Sequence, residues 1–206
     1  MKRLIFVMTL ITAAMCIGFG EAGSDATAGV AEVTRAPGGS IRTMLSQSIV
    51  LNEGSTLVRE WIAFKHSALP VKLNGTPGIK TKYDSGRGYS GSFKYTASFE
   101  IDVAEPVTAI EIRFLTFDVW GETGRSLVMT RIKDFAPGTH TLDGVWNLYS
   151  ENEASEFYAS IAYVSRIRTK DGKVLVADVR PVVDEAQKFN GKFTETDLEP
   201  EKPGKE

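Results

Sequence analysis

The chain has 206 residues, of which 42% are hydrophobic and 10% aromatic, and this content supplies one ordinary hydrophobic core rather than two. Its formal charge of -2 arises from 24 basic and 26 acidic residues distributed along the chain. Because no basic surface large enough to hold a nucleic-acid backbone is implied, nucleic acid is not expected as a partner.

The first 22 residues predict an export signal. Lys2 and Arg3 precede an apolar run over residues 4–19, and small residues follow it. The run spans about 16 residues, fewer than the ~20 that a membrane-spanning helix needs, so we expect cleavage between Gly20 and Ser24 rather than retention as an anchor. The mature protein is then predicted to be periplasmic or secreted in a bacterium, with no membrane span.

The single cysteine, Cys16, lies inside this apolar run. If cleavage follows Ala22, the mature chain has no thiol and can form no disulfide. Lipidation of Cys16 is an alternative. However, Met15 stands where bacterial lipoprotein signals carry a small residue, and the upstream leucine of those signals is absent, so ordinary cleavage is favoured.

Composition divides the remaining chain into three parts. Residues 23–48 are predicted to be a flexible leader, because they begin with small and polar residues and include an Ala-Pro-Gly-Gly sequence. Residues 49–189 are predicted to form the folded domain. Residues 190–206 are predicted to be a disordered tail, since Phe193 and Leu198 are their only sizeable apolar side chains.

The folded part contains seven strand candidates. The clearest is 93–103, where apolar and polar residues alternate as expected for a strand with one face in a core. Leu57 to Phe64 also fits a helical stripe, but Pro70 and the β-rich neighbours favour a strand. With 71–73 and 79–83 taken as continuations of 57–64, the other candidates are 109–119, 127–132, 139–148, 157–169 and 173–177. This pattern predicts an antiparallel all-β sandwich.

Turn and capping residues predict the connections. Lys170-Asp171-Gly172 separates two apolar runs, and Asp-Gly suits a type I′ hairpin turn. Ala136-Pro137-Gly138 predicts a second turn. Ser150, followed three residues later by Glu153, predicts one capped helical turn that crosses between sheets. A brief helix is predicted over residues 181–189.

These elements resemble a known family. The strand 93–103, the turn at Pro106, the strand 110–114, the sequence Phe-Asp-Val-Trp-Gly at 117–121 and the sequence Phe-Ala-Pro-Gly-Thr at 135–139 follow one another in this order. Over about residues 91–179 this order resembles bacterial extracytoplasmic immunoglobulin-like domains of the FxLYD type. The resemblance implies an immunoglobulin-like β-sandwich that serves as an accessory or interaction module, without shared catalytic residues.

Few residues support catalysis. The chain has only two histidines, His66 and His140, and no G-x-S-x-G sequence, so a nucleophile with a neighbouring base is not indicated. We expect no enzyme activity. The alternative is a small carbohydrate-active or metal-dependent periplasmic enzyme, because catalytic carboxylate pairs leave little trace in a sequence.

No metal site or cofactor is expected. Carboxylates occur near one another, but at turns and helix starts, where capping of backbone N–H groups is their usual role. The glycine-bearing loops at 86–89 and 121–125 do not have the spacing of a phosphate-binding loop. The carboxylate groups considered were Asp118 with Glu122, Asp134 with Asp143, and Glu151 with Glu153 and Glu156.

The tryptophans suggest where a partner could bind. Trp61 is expected in the core, and Trp146 is expected to be buried together with Phe99 and Ile112. Trp120 precedes Gly121 at a strand end, where it either lies exposed or folds back over the end of the sandwich. Because loop tips tolerate variation and Trp and Arg contribute strongly to binding, we predict a binding site for an unknown envelope or extracellular protein. The predicted site comprises Trp120, Gly121, Glu122 and Arg125. A structural envelope component is a further alternative.

Overall fold

The computed structural model describes residues 33–35, 38–50, 56–84, 92–148 and 150–199. The predicted signal peptide, Cys16 and the glycine loop at 86–89 lie outside these ranges. The strands are β1 (Val33–Arg35), β2 (Ser40–Val50), β3 (Thr56–His66), β4 (Val71–Asn74), β5 (Lys80–Asp84), β6 (Ser92–Val103), β7 (Val107–Asp118), β8 (Leu127–Phe135), β9 (Gly138–Asn147), β10 (Phe157–Thr169) and β11 (Val174–Val176). The helices are α1 (Glu151–Ser155), α2 (Arg180–Ala186) and a 3-10 helix at Glu195–Leu198.

The larger sheet is built around β10. One edge of β10 pairs antiparallel with β7, which pairs in turn with β8. The other edge pairs with β3 in parallel and, further along, with β11 in the antiparallel direction. Strand β2 flanks β3 and β1 flanks β11. The order across this sheet is therefore β2, β3, β10, β7 and β8, with β11 and β1 beside the end of β10.

The smaller sheet is centred on β6. Strands β4 and β5 pair with successive parts of one edge of β6, and β9 pairs along the other edge. The two sheets face each other across a core of apolar side chains that alternate along their strands. The prediction of an all-β sandwich is confirmed, but the larger sheet is mixed rather than antiparallel throughout, because β3 pairs in parallel with β10 and β1 with β11.

The central core contains the side chains expected there. Phe99 and Ile112 are buried, and Trp146 is half-buried against the same cluster. The ring of Phe114 lies between them, with centroids 5.6 Å from Phe99 and 5.3 Å from Trp146. Trp61 is also buried and donates to the carbonyl of Ile79 at 3.0 Å. The apolar face of the alternating strands thus lines the space between the sheets.

The outer face of the larger sheet has a second apolar cluster, covered by the C-terminal part of the chain. On β3, Trp61 belongs to the central core, whereas Ile62 and Phe64 point to this outer face. Val182 and Ala186 of α2 pack there, followed by Phe193 and Leu198, against buried side chains of β7 and β10. The molecule therefore has three layers: the smaller sheet, the larger sheet and the C-terminal segment.

Two boundary predictions are wrong. Residues 190–199 are not a disordered tail, because Phe193 and Leu198 are buried on the larger sheet. The predicted flexible leader over 23–48 contains β1 and most of β2, and β2 is held by continuous pairing with β3. In both segments tertiary pairing or burial orders a sequence of low intrinsic hydrophobicity. Residues 200–206 lie outside the described ranges.

The predicted connections are confirmed with two corrections. Residues 71–73 and 79–83 do not continue β3, because β4 and β5 pair with β6 in the smaller sheet. The hydroxyl of Ser150 accepts a hydrogen bond from the N–H of Glu153, and the helix α1 that it caps links β9 of the smaller sheet to β10 of the larger one. The hairpin after β10 is not type I′, because Gly172, and not Asp171, has a positive φ. The Gly172 N–H donates to the Thr169 carbonyl, as in a three-residue loop that ends in a left-handed glycine.

None of the helices in the described ranges has the length and apolar character needed to cross a membrane.

Candidate functional site

A groove lies on the outer face of the larger sheet, beside the area that α2 covers. Its volume is about 650 Å³. Five parts of the chain form it: strand β2, strand β3, the end of β7 with the turn that follows it, the start of β10, and the end of α2 with the residues after it. The lining residues are Arg42, Met44, Leu57, Glu60, Asp118, Val119, Trp120, Gly121, Tyr158, Glu185, Lys188 and Phe189.

The turn after β7 is organised by Asp118. Its carboxylate accepts hydrogen bonds from the N–H groups of Trp120, at 2.9 Å, and Glu122, at 2.8 Å. The N–H of Asp118 donates to the Glu122 carbonyl at 3.1 Å and closes the turn. Because this tight turn projects the side chain of Trp120 away from both cores, 74% of that residue is exposed. The side chain of Trp120 is therefore mostly exposed to solvent at the edge of the groove.

Gly121 is required at its position for two reasons. Its φ is +79°, a conformation that is costly for residues with a Cβ. A Cβ would also lie only 2.9 Å from the backbone carbonyl oxygen of Phe189. The glycine thus allows the Trp120 turn and the C-terminal segment to approach each other closely, and this approach forms one wall of the groove.

A second wall of the groove contains a buried carboxylate that forms ion pairs with two cationic side chains. Glu185 of α2 is buried and accepts hydrogen bonds from Arg42 at 2.8 Å and from Lys188 at 2.7 Å. Burial raises the pKa of Glu185, but the hydrogen bonds from Arg42 and Lys188 outweigh burial, so its pKa lies below the ordinary value. The Arg42 pair joins edge strand β2 to α2 across the groove.

Glu60 is the groove carboxylate that has no counterion among the described residues. Within the described ranges, no ion pair or hydrogen bond engages its side chain. It lies on the same face of β3 as Ile62, and Asp118 and Glu185 are already occupied by the turn and by the two cations. A ligand in the groove would therefore meet exposed aromatic surface at Trp120 and an available negative charge at Glu60.

The structure divides the predicted binding residues between two places. Trp120 and Gly121 line the groove, whereas Glu122 lies exposed outside it. Arg125 extends towards α1, where its side chain donates to the Glu153 carboxylate at 3.1 Å and to the Asn147 carbonyl at 3.1 Å. Arg125 therefore links the β7–β8 loop to α1 and is not part of the groove.

Neither histidine lines the groove. His140 contacts the Ala136 carbonyl through Nε2 at 2.7 Å. His66 is buried against Tyr163, with ring centroids 6.4 Å apart. Within the described ranges, no group of three or more histidine, cysteine, aspartate or glutamate side chains is placed to hold a metal ion.

The burial of His66 gives a testable pH dependence. Burial lowers the pKa of His66, and the nearby charge of Asp178 opposes this effect only in part. The unfolded chain therefore binds more protons than the folded chain near the ordinary pKa of 6.5. We expect the stability due to this residue to be complete above pH 6.5 and to fall as the pH drops below it, towards the folded pKa.

Urea unfolding at a series of pH values measures this effect. The variant His66→Phe should flatten the decline below pH 6.5, whereas the control His140→Phe should retain it. An unchanged pH profile in His66→Phe would show that the decline has another source.

Most of the groove residues could not be identified from the sequence. Arg42 and Met44 belong to a segment predicted to be a leader, and Lys188 and Phe189 belong to a predicted helix whose packing against the sheet the sequence does not show. Trp120 and Gly121 are the exceptions, since the sequence of their turn predicts them as binding residues.

No family model matches the chain, and a search of curated proteins finds no match either. Among solved structures, a hypothetical protein from Peptoclostridium difficile 630 is similar at 13% sequence identity and a TM-score of 0.41, over 63% of this chain and 95% of that protein. The resemblance to FxLYD-type immunoglobulin-like domains stays a prediction.

Proposed function

We propose that the protein is an exported, non-catalytic binding module whose groove holds part of an envelope or extracellular protein. The observation that carries this proposal is the exposed ring of Trp120 beside a groove of about 650 Å³. Exposed tryptophans next to concave surfaces are frequent anchors in protein interfaces, because they bury a large area at low entropic cost. The location follows from the export signal predicted over residues 1–22.

The charges in the groove favour a partner segment with a cationic group. Glu60 has no counterion among the described residues, and the rings of Trp120 and Tyr158 line the same groove. A lysine or arginine side chain of the partner would pair with Glu60 and lie against an aromatic face. The proposed segment thus combines an apolar contact to Trp120 with a positive charge.

The contacts of the carboxylates in the groove support a binding function rather than a catalytic one. Asp118 holds two N–H groups of its own turn, and Glu185 is held by Arg42 and Lys188. A glycosidase would need two carboxyl groups free to act on the substrate. Of the three carboxylates, only that of Glu60 is not bound by another group in the described part of the chain.

Trp120→Ala is expected to weaken partner binding by at least about 30-fold, equivalent to about 2 kcal/mol, while the melting temperature changes little. The ring contacts solvent more than protein, so its removal should not disturb either core. The measurement is quantitative capture from the native cell envelope, followed by titration of the captured protein against each variant.

Tyr83→Ala is the matched control, because Tyr83 is another exposed aromatic residue and lies on β5, outside the groove. It should retain the partner. Glu60→Gln should weaken binding and reduce its dependence on salt. Equal capture by Trp120→Ala, Glu60→Gln and the unmodified protein would contradict the proposal, and a loss that accompanies a large fall in melting temperature would show that Trp120 has a structural role instead.

A further inference from the structure

Strand β2 is a long edge strand without the usual protection. It pairs with β3 over all of its 11 residues, without a register shift, and no other described strand pairs with it. Natural edge strands are normally short, charged, interrupted by proline or bulged, since an open row of backbone groups invites pairing with another chain. β2 has no proline, and Arg42 is its one charged residue.

The edges at β8 and β5 carry such protection. Strand β8 contains Arg131, Lys133 and Asp134, and β5 contains two lysines within five residues. Strand β9 is a long edge as well, with Asp143 as its one charged residue in ten. Among the strands described, β2 differs from β9 in exposing three large apolar side chains, Ile41, Met44 and Leu45, where β9 exposes only Val145.

One face of β2 is apolar at regular intervals. Ile41, Leu45 and Ile49 share the face that Trp61 occupies on β3, because residues opposite each other in the register point the same way. Ile41 is 63% exposed and Leu45 is 52% exposed. The described part of the chain therefore leaves more than half of each of these two residues exposed to solvent.

We propose that β2 pairs antiparallel with β2 of a second copy, around a two-fold axis at Leu45. The sequence is self-complementary in this register. Leu45 faces Leu45 of the second copy, and Ile41 faces Ile49 of the second copy. Arg42 faces Ser48, so no two like charges oppose each other. An isologous contact of this kind closes on itself and produces a dimer.

The dimer leaves the groove open. Arg42 and Met44 line the groove from the opposite face of β2, and a two-fold axis perpendicular to the sheet keeps that face on the same side in both copies. Two grooves then open in the same direction from one continuous sheet. A partner with repeated sites could engage both, which raises its overall affinity.

Light scattering of the purified protein across a dilution series tests the dimer. The unmodified protein should have the mass of two chains at high concentration and dissociate on dilution. Leu45→Lys should be monomeric with an unchanged circular dichroism spectrum, because it places two lysines directly opposite each other. Ile132→Lys is the control: Ile132 is 83% exposed on the other edge of the same sheet, and this variant should remain a dimer.

A protein that is monomeric at every concentration would overturn the proposal. So would a dimer that survives Leu45→Lys, or one that is lost in Ile132→Lys and kept in Leu45→Lys. The last result would place the contact on β8.

Disulfide trapping tests the register. In a Cys16→Ser background, Leu45→Cys should form a covalent dimer on oxidation, because directly opposed residues lie within disulfide distance. Ile41→Cys should not, since the two equivalent positions would be about 27 Å apart, eight residues along the pair of strands. Equal trapping of both variants would overturn the proposed axis.

Discussion

Replacing Phe193 with alanine is expected to lower the free energy of unfolding by about 3–5 kcal/mol, the range for removing a large aromatic side chain from a core. Phe193 is buried in the cluster between the larger sheet and the C-terminal segment, with its ring centroid 6.1 Å from that of Phe117. Its backbone carbonyl also accepts a hydrogen bond from the side chain of Gln187 at 3.0 Å. Urea denaturation monitored by tryptophan fluorescence measures the change.

Lys192→Ala is the matched control, because the neighbouring lysine is exposed. It should change stability by no more than a few tenths of a kcal/mol. Equal effects of the two substitutions would mean that the segment after α2 contributes nothing to the fold. In the expected case, Phe193→Ala should also make residues 190–199 more sensitive to proteolysis.

Glu111→Ala is expected to cost about 3–5 kcal/mol, the range for breaking a buried ion pair by removing one partner. Glu111 is buried on the outer face of β7 and accepts hydrogen bonds at 2.8 Å from Ser165, Arg113 and Arg166. Arg113 is itself mostly buried and also donates to the carbonyl of Leu198. Removal of the carboxylate would leave this guanidinium without its counterion.

The exposed pair of Asp171 and Lys173 supplies the control. Asp171→Ala removes an ion pair in the β10–β11 hairpin and should have little effect on stability, because water screens it. Thermal and urea unfolding of both variants can be compared directly. If Asp171→Ala were as damaging as Glu111→Ala, burial would not be the reason for the importance of Glu111.

The pKa of Glu111 adds a second readout. Burial raises this pKa, but the hydrogen bonds from Ser165, Arg113 and Arg166 outweigh burial and bring it below its ordinary value of 4.5. The stabilising contribution of Glu111 is therefore present above pH 4.5 and is lost as the pH falls through the folded pKa. Glu111→Ala should lose this part of the acid dependence.

The strands that form the central core could be predicted because their side chains alternate. In β6 the apolar residues point to the core and the charged ones to water, so the alternation in the sequence shows which face of the strand lies in the core. Strand β10 is different, since nearly all of its residues from Phe157 to Ser165 are buried. Successive buried residues indicate that both faces of the strand are packed against other parts of the chain. This run therefore indicates a third layer on the outer side of the larger sheet.

The segments that were mispredicted depend on distant residues. The apolar residues of β2 do not alternate with polar ones, and its order comes from pairing with β3. Phe193 and Leu198 follow no helical or strand period, and their burial depends on the apolar outer faces of β7 and β10. The residue pattern within one segment does not show which distant segment it packs against.

The candidate site was predictable only where one turn determines it. The Asp118 turn sets the position of Trp120 and Gly121, and its residues are adjacent in sequence. The direction of Arg125 depends instead on Glu153, which is 28 residues away. The groove is made of five segments, so its existence could not be read from any one of them.

Hydroxyl-radical footprinting of the protein with and without its captured partner tests the groove most directly. Trp120 and Met44 are exposed, oxidisable side chains within the groove, and Tyr83 is an exposed aromatic residue outside it. We predict that the partner protects Trp120 and Met44 and leaves the oxidation of Tyr83 unchanged. Protection of Tyr83 with continued oxidation of Trp120 would contradict the groove as the binding surface.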